Sequence, residues 1–234
     1  MLAAARRCAA RGRRLCPSPC AAALASPAAR ARPLSSSAAG PWQQLDDGLR
    51  YRLSEDAVSG TETIEIEHGA VSPTASVILT HGLGDSARGW AGAALQLAEG
   101  LPWTRWVLPT APTQPVTLNG GMSMPSWYDI EGLSDRASET CEGIDRAQET
   151  LERLAQAELE ELGDANAGRL VLAGFSQGGA LSLHTALRWE GEPLPAGVLC
   201  MSGYLPCPGS APEQSTVRET PMLICHGDAD PMVR

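Results

Sequence analysis

The residues best placed to do chemistry fall in one pentapeptide, Gly174-Phe175-Ser176-Gln177-Gly178, followed by Gly179. It fits G-x-S-x-G, in which a strand turns abruptly into a helix and lifts a serine hydroxyl above the sheet. The backbone at such a serine is strained, and side chains on either flank would collide with neighbouring elements, so both sides call for glycine. The helix N-terminus behind the serine favours negative charge, and the backbone N–H of Gln177 is placed to donate to an oxyanion. In a chain with 24 Gly, composition alone gives roughly 0.2 such matches. The weight therefore rests on context. The preceding Arg169–Ala173 (RLVLA) reads as a buried strand, and the following GALSLHTALRW reads as a helix. The rival reading is a plain glycine-rich strand-to-helix turn.

Two other strand ends carry polar residues. His81-Gly82-Leu83-Gly84-Asp85 follows the apolar run SVILT. A glycine-flanked turn there frees backbone N–H groups, and that of Leu83 could complete a two-donor oxyanion hole with Gln177. His81 reads as an organiser of the loop. The second stretch, His226-Gly227-Asp228-Ala229-Asp230, follows the strand MLIC. An acid downstream of the nucleophile matches the order Ser…Asp…His. Asp230 lies further out, where it could reach a histidine, and Asp228 is expected to bond backbone in the turn. The chain has four histidines, His68, His81, His184 and His226, and none lies beyond Asp230. A serine nucleophile needs a base within hydrogen-bond reach. His184 projects from the flank of the helix after Ser176, and His226 stands on the wrong side of the acid. No residue qualifies as the base.

Strands alternating with helices must position these residues. Leu49, Tyr51 and Leu53 alternate with polar residues, which allows a short edge strand in 41–60. Thr63–His68 reads as a half-buried strand, and Ser76–Thr80 and Arg105–Leu108 as short apolar ones. Ala87–Glu99 reads as a helix with Trp90, Ala94, Leu97 and Ala98 on one face. A long loop is expected over Thr110–Asp135. Ser138–Gly163 is the strongest helix, with Ile144, Ala147, Leu151, Leu154 and Leu162 mostly three or four apart. Gly178–Trp189 is the helix after the serine, and Ala196–Met201 and Met222–Cys225 are further strands. This rhythm implies right-handed βαβ units and a mostly parallel sheet with helices on both faces, an α/β class.

Composition narrows the options. The 234 residues are 43% apolar, enough for a sizeable core. No apolar stretch is long enough to make a transmembrane segment. A net charge of −9 argues against nucleic acid as a partner. Seven scattered Cys support neither a disulfide framework nor a metal site, and no cofactor is called for. Residues 1–40 hold seven Arg and no acid, leaving 11 Arg against 27 acids in the remainder. An Arg-, Ala- and Ser-rich, acid-free start is the composition of a mitochondrial or plastid transit peptide. The alternative is a disordered tail on a cytoplasmic protein. Residues 61–234 are assigned to the catalytic domain, with 41–60 as a linker or edge strand.

Taken in order, the segments ILTHGLGDSARGW, PTAPTQPVTLNGGMSMPSWYDIEGLS, LAGFSQGGALSLHTAL, GVLCMSGYLP and ICHGDADPMV resemble the acyl-protein thioesterase and lysophospholipase-like carboxylesterases of the α/β-hydrolase fold. The resemblance implies that Ser176 is the nucleophile, Asp230 the triad acid, and Leu83 and Gln177 the oxyanion donors. It implies that Leu118–Ile130, with Met124, Pro125 and Trp127, is the acyl-chain loop, and an apolar, Met-bearing loop suits a flexible chain. Core packing is the competing role for Trp127. The substrates implied are S-acylated proteins, with lysophospholipids or small esters as alternatives; a partner-binding pseudoenzyme is the rival class. Family members place the catalytic His a few tens of residues after the acid and end on a helix. This chain stops four residues past Asp230 and looks like a truncated member, lacking the last strand and helix. An exposed sheet edge and poor folding or activity are expected as a result.

Overall fold

In the computed structural model, residues 39–132, 139–166, 168–210, 219–230 and 232–233 are described. The segment read as a transit peptide falls outside them, apart from its last two residues. Ten strands are present: β1 (Gln43–Gln44), β2 (Leu49–Glu55), β3 (Glu62–His68), β4 (Ala75–Thr80), β5 (Thr104–Pro109), β6 (Thr113–Val116), β7 (Met122–Pro125), β8 (Leu170–Phe175), β9 (Gly197–Met201) and β10 (Met222–Cys225). The helices are α1 (Ala87–Gly100), α2 (Ile144–Leu162) and α3 (Gln177–Leu187).

Eight strands form one sheet in the order β1-β2-β3-β5-β4-β8-β9-β10. The pairs from β5 through β10 are parallel, while β1, β2 and β3 pair antiparallel. Chain order explains the shape. After β4 the chain crosses to β5 on one side, and after β8 it crosses to β9 on the other. The sheet therefore reverses its winding between β4 and β8, and in such folds a crevice opens there at the C-terminal strand ends. The loop beginning at His81 and the turn at Ser176 leave from those two neighbouring ends.

Each face buries its own core. On one face α1 covers β2, β3 and β5 through Ala87, Ala94 and Ala98 against Ile64, Ile66, Trp106 and Leu108. On the other, α2 and α3 cover β4, β8 and β9 through Leu151, Leu159, Leu181 and Ala186 against Ile78, Leu170, Leu172 and Val198. Small residues on α1 let the helix lie close to the sheet. Its start is fixed by Ser86, whose hydroxyl accepts from the Gly89 N–H.

Several expectations are corrected. Leu97 is 47% exposed, and Ala91 and Leu95 take its place on the core face of α1. The strand at 62–68 is buried on both faces, because its polar face is covered by arginines. Arg52 pairs with Glu65 at 2.6 Å, Arg105 pairs with Glu67 at 2.7 Å, and Arg50 pairs with Glu67 as well. Within 110–135 the expected loop contains the antiparallel hairpin β6–β7, turned by Gly120 and Gly121 at positive φ. Pro115 and Pro125 inside its strands hid the alternation. Helix α2 begins at Ile144, later than expected, because Cys141 (φ 49°) and Gly143 (φ 92°) are left-handed. Residues 139–142 instead run beside 129–131, where the Asp129 N–H donates to Glu142 O at 2.8 Å.

Strand β10 closes one end of the sheet. All four of its residues are exposed, Leu223 at 61% and Ile224 at 58%. No helix among the described residues is long and apolar enough to cross a membrane.

Candidate active site

Ser176 sits between the end of β8 and the start of α3 with φ 52° and ψ −115°. Few non-glycine residues adopt positive φ, and such strain persists only where the surroundings over-determine it. Here the surroundings do. A Cβ on Gly174 would lie 2.3 Å from Gly178 C and 2.4 Å from Thr80 Oγ1. One on Gly178 would lie 2.3 Å from Thr80 O, and one on Gly179 would lie 2.9 Å from Gly174 O. Helix α3 can therefore run back against β4 and β8 only because these three residues lack side chains. Thr80, the last residue of β4, places Oγ1 within 3.0 Å of Ala173 O and 2.9 Å of Gly178 O. Hydrogen bonds hold the turn from both sides: Ser176 N–H donates to Met201 O at 2.8 Å, and Ser176 O accepts from Ala180 N–H at 2.9 Å. The hydroxyl-bearing residue stays part-exposed at the helix N-terminus.

The loop after β4 meets this turn. A Cβ on Gly82 would stand 3.5 Å from Ser176 Cβ and 3.1 Å from the Phe175 ring. The N–H groups of Leu83 and Gln177 have no protein acceptor among the described residues. His81 shapes the loop. Its ring is buried, with Nδ1 2.7 Å from Gly82 O and Nε2 accepting from the Ala111 N–H at 2.9 Å. That pair fixes the neutral tautomer with the proton on Nδ1, and burial lowers the pKa of the ring. His81 is thus the organiser that the sequence reading expected.

The segment carrying Met124, Pro125 and Trp127 closes the third side. Pro125 O accepts from the Gly84 N–H at 2.8 Å, and Met124 Sδ would lie 3.6 Å from a Cβ on Gly84. Met124 and Pro125 therefore touch the same loop as Leu83. Trp127 is only 3% exposed. Its indole N–H donates to His81 O at 2.8 Å, and its ring lies 5.0 Å from the His81 ring.

Sequence reasoning gave Gln177 a backbone role only. Its side chain, fully buried, does more. Oε1 accepts from the Trp127 N–H at 3.1 Å, and Nε2 donates to Ser126 Oγ at 2.9 Å and Tyr128 O at 2.7 Å. One amide thereby ties the residue after Ser176 to the loop at 126–128. Tyr128, also missed, is completely buried and bonds Tyr204 through their hydroxyls at 2.8 Å. Burial raises the pKa of its phenol well above the ordinary range. No local pattern marks either role, since both depend on segments roughly 50 residues away or more.

Asp230 stands at the same edge of the sheet, in the turn after β10. In register, Phe175, Met201 and Cys225 lie side by side on β8, β9 and β10. Ser176 and the start of the Asp230 turn are thus two strands apart, about 10 Å along the sheet. Asp230 Oδ1 accepts from the N–H groups of Met232 (2.8 Å) and Val233 (3.0 Å). Asp228 accepts no hydrogen bond among the described residues, so the backbone-bonding role expected of Asp228 belongs to Asp230. His226 Nε2 lies 3.6 Å from Asp230 Oδ2, too far for a hydrogen bond, and is committed to Val233 O at 2.6 Å. None of the four histidines bonds Ser176. His68 accepts from Ala70, and His184 is buried beneath α2 with both ring nitrogens unpartnered.

A strained serine at a strand-to-helix turn, facing an amide-bearing loop, is the nucleophile turn of α/β-hydrolases, and residues 61–234 match the model of the phospholipase/carboxylesterase family. The chain belongs to that family. It is a hydrolase with the α/β-hydrolase fold. Among curated relatives it is 40% identical over 170 residues to acyl-protein thioesterase 1 homolog 1 of Dictyostelium discoideum, covering 72% of this chain and 74% of that protein. It is 42% identical over 166 residues to acyl-protein thioesterase 1 of Yarrowia lipolytica, covering 69% and 71% of the two chains. Among solved structures it is similar to Zea mays acyl-protein thioesterase 2, with TM-score 0.60 and 30% identity, covering 73% of this chain and 78% of that one.

Proposed function

We propose that this protein is a serine hydrolase of acyl thioesters and esters, acting on S-acylated proteins. The observation that carries the reading is the glycine-enforced backbone of Ser176, which holds a hydroxyl exposed at a helix N-terminus beside a loop with free amides. The names of the relatives supply the substrate class. Ser176 Oγ attacks the acyl carbonyl, and the N–H groups of Leu83 and Gln177 receive the oxyanion, where loss of a single donor costs on the order of 3 kcal/mol. Sulfur leaves as the acyl-enzyme forms, and water then releases the acid. The proton acceptor in this reading is a histidine oriented by Asp230; in the structure none of His68, His81, His184 and His226 hydrogen-bonds Ser176. Met124 and Pro125 line the acyl chain, while Trp127 and the Gln177 side chain hold that loop against Ser176. Residues 1–40 act as an organelle address, which a fluorescent fusion of that segment would locate.

The test is hydrolysis of an S-palmitoyl peptide by the 234-residue chain, with a lysophospholipid and a short ester as competing substrates. Slow, Ser176-dependent release with the thioester preferred is the expected result. Release that survives Ser176→Ala overturns the assignment of the nucleophile. Preference for the lysophospholipid replaces the substrate class. Turnover at ordinary enzymatic rates places the base among the four histidines, and loss of that turnover in His226→Ala would name it.

A further inference from the structure

Among the described residues five that are not glycine have positive φ: Asp47, Cys141, Ser176, Ser202 and Cys207. One is the nucleophile. Two are cysteines 66 positions apart that the fold brings together, Cys207 packing against the core cluster that contains Cys141. Cys207 Sγ also lies 3.7 Å from Glu139 O and 3.8 Å from Thr140 O, the carbonyls just before Cys141. No disulfide joins the two in this structure. Cys141 is buried in the core under α2, and Cys207 packs against that core from a part-exposed position.

We propose that Cys141 and Cys207 are a dithiol oxidation site that closes into a disulfide. The inference is independent of the acyl-hydrolase reading. The oxidant is a hydroperoxide. Cys207, the accessible thiol, attacks the peroxide oxygen, becomes a sulfenic acid and releases water. The Cys141 sulfur then displaces the hydroxyl from Cys207, giving the S–S bond and a second water. Two thiols and one hydrogen peroxide thus become one disulfide and two waters. Burial holds the Cys141 thiol well above the usual cysteine pKa, so Cys207 meets the oxidant first, and Cys141 passes its proton to the departing hydroxyl as its sulfur attacks the sulfenic acid.

The bridge would join two segments that flank Ser176. Cys141 belongs to the stretch hydrogen-bonded to 129–131, continuous with the loop that carries Met124 and Trp127. Cys207 belongs to the loop after β9. In that loop a Cβ on Gly203 would stand 3.0 Å from Ser176 O, and Tyr204 bonds Tyr128. A disulfide would convert the Tyr128–Tyr204 contact from a hydrogen bond into a covalently supported clamp. The oxidised form would hold the substrate loop in a fixed position against the serine turn.

The experiment is to treat the purified 234-residue chain with stoichiometric hydrogen peroxide, block the remaining thiols and map peptides without reduction. A Cys141–Cys207 peptide is expected, together with a rise in Tm of roughly 5 °C or more that reductant reverses. Cys141→Ser should abolish the cross-link and leave a Cys207 sulfenic acid that dimedone captures. Cys207→Ser should leave Cys141 unmodified at the same dose. The proposal is overturned if no such peptide forms, if Cys207 pairs with another cysteine, or if dimedone labels Cys141 in preference to Cys207.

Discussion

The turn at Ser176 and the turn at Asp230 occupy the same edge of the sheet, two strands apart, but are held in place very differently. At Ser176 three glycines, Thr80, Met201 and the Gln177 amide fix the backbone in a strained conformation. At Asp230 the turn follows a strand with four exposed residues, and the carboxylate accepts from the nearby backbone amides of Met232 and Val233 and lies 3.6 Å from His226. Ser176 is positioned by packing and Asp230 by a local turn. Substitutions should therefore be severe around the first and mild around the second.

Ser176→Ala gives the largest expected effect. The slow release should fall to the uncatalysed background with Tm unchanged, since the site is part-exposed and the strain at position 176 is set by its neighbours. A steady-state assay paired with thermal melting checks this. Gly178→Ala should cost on the order of 4 kcal/mol or prevent folding, because its Cβ would fall 2.3 Å from Thr80 O. Urea denaturation reads the loss, and a change under 1 kcal/mol would mean the turn is less over-determined than argued.

Glu158 tests whether stability elsewhere on the sheet leaves the site untouched. It lies on α2, buried against the start of β4 and accepting from Ser76 Oγ at 2.6 Å, and burial raises its pKa from 4.5 to about 7. Its protonated form contributes stability that is full below pH 4.5 and lost as pH rises through 7. Glu158→Gln should therefore be more stable than the parent above pH 7, by on the order of 3 kcal/mol, and equal to it below about pH 4.5. His184 works with the opposite sign. Burial lowers its pKa from 6.5 to about 4, so its contribution is full above 6.5 and fades as pH falls through 4. Denaturation midpoints across pH 4–8 for the parent and Glu158→Gln separate the two groups, the His184 contribution remaining in the variant.

Gln177→Ala removes three hydrogen bonds and should cost about 2 kcal/mol, with a larger loss in kcat than in KM if the loop at 126–128 moves away from Ser176. Leu223→Thr on the exposed face of β10 is the smallest change, within about 0.5 kcal/mol, and should reduce self-association by sedimentation. A cost above 2 kcal/mol there would erase the contrast between the two turns.

The serine turn was legible because its requirements are local. Glycines two residues either side of a strand-to-helix junction are dictated by collisions that any such junction meets, so composition and spacing suffice to find it. The strand pattern was legible for the same reason, since alternation and apolar runs are properties of neighbouring residues. The hairpin β6–β7 was not, because its prolines mask alternation that pairing still permits at those positions. The late start of α2 was not legible either. The left-handed conformations of Cys141 and Gly143 arise from docking of 139–142 along 129–131.

By itself, the sequence determined the α/β class and put forward Ser176, the loop at Leu83 and the turn at Asp230 as the places able to do chemistry, because each rests on residue types at fixed short spacings or at strand ends. Only the tertiary structure decided which amide of Gln177 does which work, that His81 is neutral and structural, and that Asp230 caps its own turn. It alone brought Cys141 to Cys207. These depend on contacts between segments tens of residues apart, whose partners are chosen by the order of strands in the sheet and not by any local pattern.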